Sequence, residues 1–361
     1  MVYTLYFILL IFGALIVKGK RGNNHYLFGV MTFLFLIIGL RDVSVGADTL
    51  SYTEDFFYFY HKSFSEIWNH ACKSKEPLYI LISWFPSLYS DSYTSYLLTW
   101  ALFPTFSLYW VFKAELQDGK DILIALLVFF LLGLFAFYVA GIRQTAALSI
   151  VFAGARCLRN FSWNGFKKLI FNRSIYTFFL AITIAYMIHN SSILFVLAIP
   201  CLFFQVRWWY LLLVLGLFFI SKFVQLDAII MLSKFFFEER FDTYGTVYES
   251  SQNVSALIMQ VILFLVCFVV KGKLIKNDSY NNFFLNMMFL GLVFQSLSEL
   301  MAEMARVSFY FSMFAMILVP KAFREYPKDT KLLSYAGFVV ISIFYLFFIT
   351  SSNLPKYHSV L

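Results

Sequence analysis

The sequence is short of charge. Asp, Glu, Lys and Arg make up only 13% of its 361 residues, roughly half the share found in a soluble domain. That shortage excludes a soluble globular protein with a charged shell. Cysteine is scarce as well. Cys72, Cys157, Cys201 and Cys267 have no metal or redox spacing, which excludes zinc ribbons and thioredoxin-like chemistry. HExxH and clustered-carboxylate spacings are missing too, so neither a metal nor a cofactor is expected. Basic residues form no tract: the net charge of +8 is spread through short loops between apolar runs, so nucleic acid is not an expected partner. The first apolar run is followed by basic residues rather than a small-residue cleavage site, and no cleavable signal peptide is expected. Repeats and low-complexity tracts are also missing.

What fills the chain instead is apolar and aromatic. Hydrophobic residues make up 61% of it, with 47 Phe and 23 Tyr, and mean hydropathy is +0.76. Runs of near-spanning length cover 2–17, 26–40, 93–112, 121–141, 143–158, 174–188, 190–206, 208–224, 254–270, 281–298, 304–320 and 332–350. They predict an all-α polytopic membrane protein with about 12 transmembrane helices in a single domain, 1–361. Residues 78–90 (LYILISWFPSLYS) are apolar but short. As a helix they would cover about 20 Å of a roughly 30 Å hydrocarbon core, which predicts a partial or re-entrant segment.

Charge sets the orientation. With both termini outside, the inside loops hold Lys18, Lys20 and Arg21; Lys113 and Lys120; Arg156, Arg159, Lys167, Lys168 and Arg173; Arg207; Lys271, Lys273 and Lys276; and Lys321, Arg324, Lys328 and Lys331. These are 18 of the 28 basic residues, accompanied by six of the 20 acids. The asymmetry follows the positive-inside rule. A full span at 78–90 would turn the first two spans over and send Lys18, Lys20 and Arg21 outside, so the partial segment is preferred.

The outer face then collects most of the remaining ionisable residues. It has two long segments. In 41–77, Phe56, Phe57, Tyr60, Phe64, Ile67 and Trp68 recur at helical spacing, predicting an amphipathic helix that lies in the interface or packs on the bundle. In 225–253, KFFFEERFDTYGTVYESSQN is a polar and aromatic loop around Arg240 that could cover a substrate.

Five groups of residues could carry chemistry. Arg143-Gln144 opens a helix after Gly141, and small residues at 145, 146, 147, 149, 153, 154 and 155 let neighbouring helices approach closely. An Arg held rigidly at the outer end of such a helix suits phosphate oxygens, although snorkelling or an ion pair explains it too. His189-Asn190-Ser191-Ser192 stands at the junction of two apolar runs, where His189 could accept a proton or only bond across an interface. Glu299, Glu303 and Arg306 follow at i, i+4 and i+7, with Tyr310 beyond, on one face if the helix is continuous. They make a structural ion pair or a tuned anion site. Arg41 leaves a span directly into Gly46, Asp48 and Tyr52; Asp48 could orient a sugar hydroxyl or cap a helix. Finally, Glu76 precedes Pro77, which suits the first position of a helix, so Glu76 reads as an entry residue.

Taken in order, Arg41 with Gly46-Ala47-Asp48-Thr49 and Tyr52, Glu76-Pro77, Gly141-Ile142-Arg143-Gln144, His189-Asn190-Ser191-Ser192 and the late Arg306 resemble the EpsG-type polysaccharide polymerases. These are related in role to the Wzy O-antigen polymerases. The resemblance runs from about residue 1 to 320, with Ala47 departing from the GTD often seen there. It implies a GT-C-like glycosyltransferase of the bacterial inner membrane, working on the periplasmic face in polysaccharide or lipopolysaccharide biosynthesis. Its substrates would be two undecaprenyl-diphosphate-linked oligosaccharides, donor and acceptor. A flippase and a chain-length regulator would be its partners, besides membrane lipids. For such a reaction the residues themselves suggest Arg41, Arg143 and Arg306 for the diphosphate, with Gln144, Tyr310, Tyr52 and Arg240 as further candidates for diphosphate or sugar, and His189, Asp48, Glu299 and Glu303 as candidates for the group that handles the acceptor proton. Two other readings remain at this point: a lipid-linked oligosaccharide flippase or other transporter, and an O-antigen ligase-type transferase. A membrane acyltransferase has only the lone His behind it.

Overall fold

Each apolar run becomes helical, for the reason that in lipid every backbone N–H and C=O must find its partner within the segment. The computed structural model describes residues 2–161, 172–223, 251–298, 300–349 and 354–360. Among these residues there is no strand, only an isolated antiparallel bridge between Arg41 and Ser359. Many of the helices are apolar, the makeup of a polytopic membrane protein. By length and composition one helix, Lys328–Phe348, reaches span length alone, and three bent pairs do so together.

The chain divides into two compact units, Met1–Ala198 with Val319–Leu361, and Ile199–Leu318. In the first unit, α1 is Val2–Ile16, α2 Gly19–Gly39, α3 Thr49–Tyr60, α4 Phe64–Lys73 and α5 Pro77–Trp84. They are followed by α6 (Tyr93–Glu115), α7 (Gly119–Leu131), α8 (Leu134–Ala140), α9 (Ile142–Ala155) and α10 (Arg173–Tyr186), then a 3-10 stretch, Asn190–Ala198. Helices α2 and α6, α6 and α9, and α9 and α10 pack side by side. The small face of α9 does what its composition predicts: a Cβ on Gly154 would lie 2.6 Å from Cβ of Ala181 on α10.

In the second unit, α11 (Tyr210–Phe223), α12 (Ser251–Val269), α13 (Lys271–Asn277), α14 (Asn281–Ser296) and α15 (Ala302–Ser312) pack mainly around the α14–α15 pair. Gln260 and Gln295 bond each other at 3.2 Å and Ser308 joins them, a buried polar seam between apolar helices. Then α16 (Ala315–Glu325) leads back into the first unit, which α17 (Lys328–Phe344) completes.

Several expected elements differ in detail. The second run starts at Gly19 rather than at 26, since Lys20, Arg21 and the two Asn are tolerated in a helix end that projects beyond the apolar core. The run 121–141 is broken: Gly133 sits at φ +73°, α7 and α8 meet at 64°, and only glycine takes that conformation without strain. The run 304–320 is likewise two helices meeting at 47°. The run from 190 is a 3-10 helix as far as Ala198. The short segment after Glu76 is short in the fold too, ending in a 3-10 turn at Phe85–Leu88.

The single amphipathic helix of 41–77 is two helices. Ser63 breaks it, its backbone N–H donating to Glu66 at 2.8 Å, a capping interaction that starts α4 afresh. Phe56 and Ile67 turn into the core, while Phe57, Phe64 and Trp68 are exposed. Both helices lie against α5, so the segment packs on the bundle and presents an aromatic outer face.

Candidate functional site

The site is built where α3, α5, α6 and α9 converge. Tyr52, Phe56, Tyr79, Ile80, Tyr96, Leu97, Trp100, Ile142, Ala146 and Ile188 form one buried apolar cluster there. Close packing of these rings and aliphatic side chains, rather than exclusion of water, holds the four helices together as a platform in lipid. Two main-chain details set the edges. Gly46 turns the chain at φ +96°, and a Cβ there would stand 2.3 Å from the carbonyl oxygen of Val139. Leu78 donates its N–H to the carbonyl of Met187 at 3.0 Å, which pins the start of α5 to the turn before His189.

Glu76 is the centre of the arrangement, and the entry-residue reading missed it. It does stand at the cap of α5 with Pro77 behind it. Its side chain, however, is buried and faces two other segments. Oε2 accepts from Nη1 of Arg143 at 2.9 Å. Oε1 accepts from the backbone N–H of Asn190 at 3.2 Å and lies 3.1 Å from Nδ1 of His189. Burial raises the carboxyl pKa, but His189, Arg143 and the Asn190 N–H together outweigh it and hold Glu76 below the usual carboxylate range. One carboxylate thus joins three stretches of sequence: 76–77, 143–144 and 189–192.

Aromatic rings hold the guanidinium of Arg143. Its Cζ lies 4.9 Å from the ring centroid of Tyr79 and 5.7 Å from that of Tyr52, within cation–π range. Tyr79 is itself anchored, donating its hydroxyl to Asp55 at 2.5 Å. Asp55 is a second residue that sequence reasoning did not single out, though it lies one helical turn from Tyr52 on α3.

Nε of Arg143, Oδ1 of Asn190 and Oγ of Ser192 are buried here without a hydrogen-bond partner among the described residues. Buried polar groups are normally satisfied, and this set combines donors and acceptors that a hydroxyl- or phosphate-bearing ligand could satisfy. Among the described residues no group of His, Cys, Asp and Glu could hold a metal ion.

Arg41 is fully buried nearby in the same unit. Its Nη1 donates to the Ile38 carbonyl, Nε reaches Oγ1 of Thr49 at 3.4 Å, and Nη2 has no partner among the described residues. Thr49 in turn donates to the Val45 carbonyl at 2.7 Å. The chain end is laid against this loop: Asp42 N–H bonds the His358 carbonyl at 2.9 Å, and Val360 N–H the Leu40 carbonyl at 3.1 Å.

The other expected residues are placed as follows. Tyr52 and Gln144 are buried in this unit. Asp48 occupies the cap position of α3, but its side chain makes no capping bond; its carbonyl accepts the Tyr52 N–H at 3.1 Å. Glu303, Arg306 and Tyr310 lie on α15 in the second unit, Glu303 exposed and Tyr310 buried. Glu299 and Arg240, with the 225–253 loop, lie outside the described residues.

A second charged cluster occupies the other end of α6 and α9. Glu115, buried at the end of α6, takes Lys321 Nζ and Arg159 Nη2 each at 2.7 Å, with Arg156 Nε at 3.8 Å. Asp121 pairs with Arg324 at 3.5 Å. Arg143 and Arg156 are thirteen residues apart on α9 and its continuation, about 20 Å along a helix. The two clusters therefore stand at opposite ends of the bundle, sorted as the loop charges were.

No curated protein and no solved structure matches this chain. The sequence model of the EpsG family matches residues 24–360, taking in the Arg41, Glu76, Arg143 and His189 segments alike, and the chain belongs to that family, which is of polysaccharide-polymerase type.

Proposed function

We propose that this protein is a glycan polymerase that transfers a growing chain from undecaprenyl diphosphate to the nonreducing end of a new undecaprenyl-diphosphate-linked repeat unit. The observation that carries the reading is Glu76, one carboxylate gripping both Arg143 and the His189-Asn190 turn beside unsatisfied polar atoms. In this reaction an acceptor hydroxyl attacks the anomeric carbon of the donor sugar. The bond from that carbon to the diphosphate oxygen breaks, and negative charge grows on the leaving group. Arg143, already oriented by two tyrosine rings, stabilises that charge most where it is largest, in the transition state. Glu76 beside Nδ1 of His189 favours the proton on that nitrogen, leaving Nε2 to take the proton from the acceptor hydroxyl. Arg41 is a further cation for the lipid diphosphates, and Tyr52 and Gln144 line the approach.

The site end is the outer, periplasmic one in this reading, and the Glu115 end faces the cytoplasm. Support comes from the count of basic residues in the loops. A cysteine at position 19 should label only from the cytoplasm and one at position 91 only from the periplasm; the reverse pattern would invert the orientation.

The activity test is direct. Purified protein given a lipid-diphosphate-linked repeat unit should produce a ladder of multimers and release one lipid diphosphate per joined unit. Units that stay monomeric while crossing a liposome membrane would make the protein a transporter instead. Arg143→Ala and His189→Ala should each abolish the ladder in inserted, folded protein.

A further inference from the structure

At the Glu115 end, cations outnumber carboxylates. Among the described residues Arg156, Arg159 and Lys321 face Glu115, and Arg324 faces Asp121, which has Asp118 beside it. Three of the cations share the one carboxylate of Glu115, and they do not share it equally. Arg159 and Lys321 take its oxygens at 2.7 Å, whereas Arg156 is held off at 3.8 Å. Nε of Arg156 is buried with no hydrogen-bond partner among the described residues. Its guanidinium lies instead over the ring of Trp110, 4.3 Å from the centroid, with a quarter of the side chain exposed.

Trp110 is the last of a series on α6. Leu102, Phe106 and Trp110 recur at i+4 spacing, so they lie along one face, and all three are exposed, at 54%, 67% and 42%. Over eight residues this makes an apolar track about 12 Å long. It runs along the outside of the bundle and ends under an under-neutralised arginine. Tryptophan at such a boundary is at home at headgroup level.

From this juxtaposition we infer a phospholipid site. An acyl chain lies along Leu102 and Phe106, and an anionic phosphate headgroup sits on Arg156 against Trp110. The headgroup supplies what Glu115 does not: an anion within hydrogen-bonding distance of the third cation of the cluster. The site lies at the end of α9 opposite Arg143, so it is separate from the Glu76 site, and its occupancy does not depend on the polymerase reading.

The test is native mass spectrometry of the full chain in detergent, titrated with phosphatidylglycerol or phosphatidylcholine of the same acyl chains. Both lipids offer a phosphate to Arg156, but the choline cation of phosphatidylcholine is repelled by the basic cluster, so phosphatidylglycerol should be retained roughly fivefold more strongly. Arg156→Gln should erase that preference. Phe106→Gln leaves every ion pair intact and should weaken retention of both lipids, which keeps the proposal testable if the arginine variant does not fold. Millimolar inorganic phosphate should leave the bound phosphatidylglycerol in place. Equal retention of the two lipids by the wild-type chain would overturn the site. So would an unchanged preference in Arg156→Gln, unchanged retention in Phe106→Gln, or displacement by free phosphate.

Discussion

Replacing Glu76 with Gln tests the centre of the candidate site. The amide matches the carboxylate in shape but carries no charge, and one of its two oxygens becomes an NH2. The remaining oxygen can accept either from Arg143 or from the Asn190 N–H, but no longer from both through separate oxygens. The new NH2 must then face a donor. A hydrogen bond to a charged group contributes about 1.5–3 kcal/mol. The arginine side of the pair is 31% exposed, so solvent screening places its part in stability at the low end, about 1 kcal/mol. Turnover should suffer more, because Arg143 and His189 both lose their alignment. A loss of about 3 kcal/mol in transition-state stabilisation lowers kcat/KM by roughly a hundredfold. The assay is ladder formation from a lipid-diphosphate-linked repeat, run beside a melting curve. Glu76→Gln should fold nearly as well as wild type and extend chains about a hundredfold more slowly. Made in an Arg143→Ala background, it should cost much less, since the two residues act together. Wild-type chain extension by Glu76→Gln, or a fully additive double variant, would refute the hub.

Gly46→Ala puts a methyl 2.3 Å from the Val139 carbonyl at φ +96°; a destabilisation of about 2–4 kcal/mol is expected, read as a lower melting temperature and loss of ordered packing around Arg41. Glu115→Ala strands Lys321 and Arg159 without their carboxylate and should cost about 3–5 kcal/mol, whereas Glu115→Met with Lys321→Met should recover much of that loss in the same thermal assay. The Glu76 carboxyl is held below its usual value, so its contribution is complete above the ordinary glutamate pKa of about 4.3 and falls away only as pH drops below it. Stability measured from pH 7 down to 4.5 should therefore show no step that Glu76→Gln removes, and a step should appear only in more acid solution.

The broad plan was legible because it rests on hydropathy. Runs of apolar residues became helices with ends within a few residues of the chemistry that stops them. The charge sorting was legible for the same reason: Glu115, Arg156, Arg159 and Lys321, all assigned to one side by loop position, do meet at one end of α6 and α9. What was not legible depends on contacts between distant segments. Glu76 next to Pro77 satisfies every local rule for the start of a helix, and nothing local says that its carboxylate reaches Arg143, 67 positions away. Asp55 is similar, an acid in an amphipathic stretch whose partner is a tyrosine on another helix. The break at Ser63 could have been read, since a Ser followed three positions later by Glu is a capping signature, but the aromatic spacing across it masked the signal. Gly133 is the opposite case: one glycine in an apolar run looks like any other, and only the fold reveals its φ of +73°.

The pairing of residues 358–360 with Leu40–Asp42 bears on how the protein should be handled. A purification tag fused beyond residue 360 emerges next to the backbone that carries Arg41, and Tyr3 is tied to the same stretch through the carbonyl of Pro355 at 2.8 Å. The 355–360 segment is thus a lever on the loop that buries that arginine. A tag in an internal loop at the Glu115 end would leave the lever alone, and comparing the two formats would separate an enzyme that is inactive by nature from one disabled by its label.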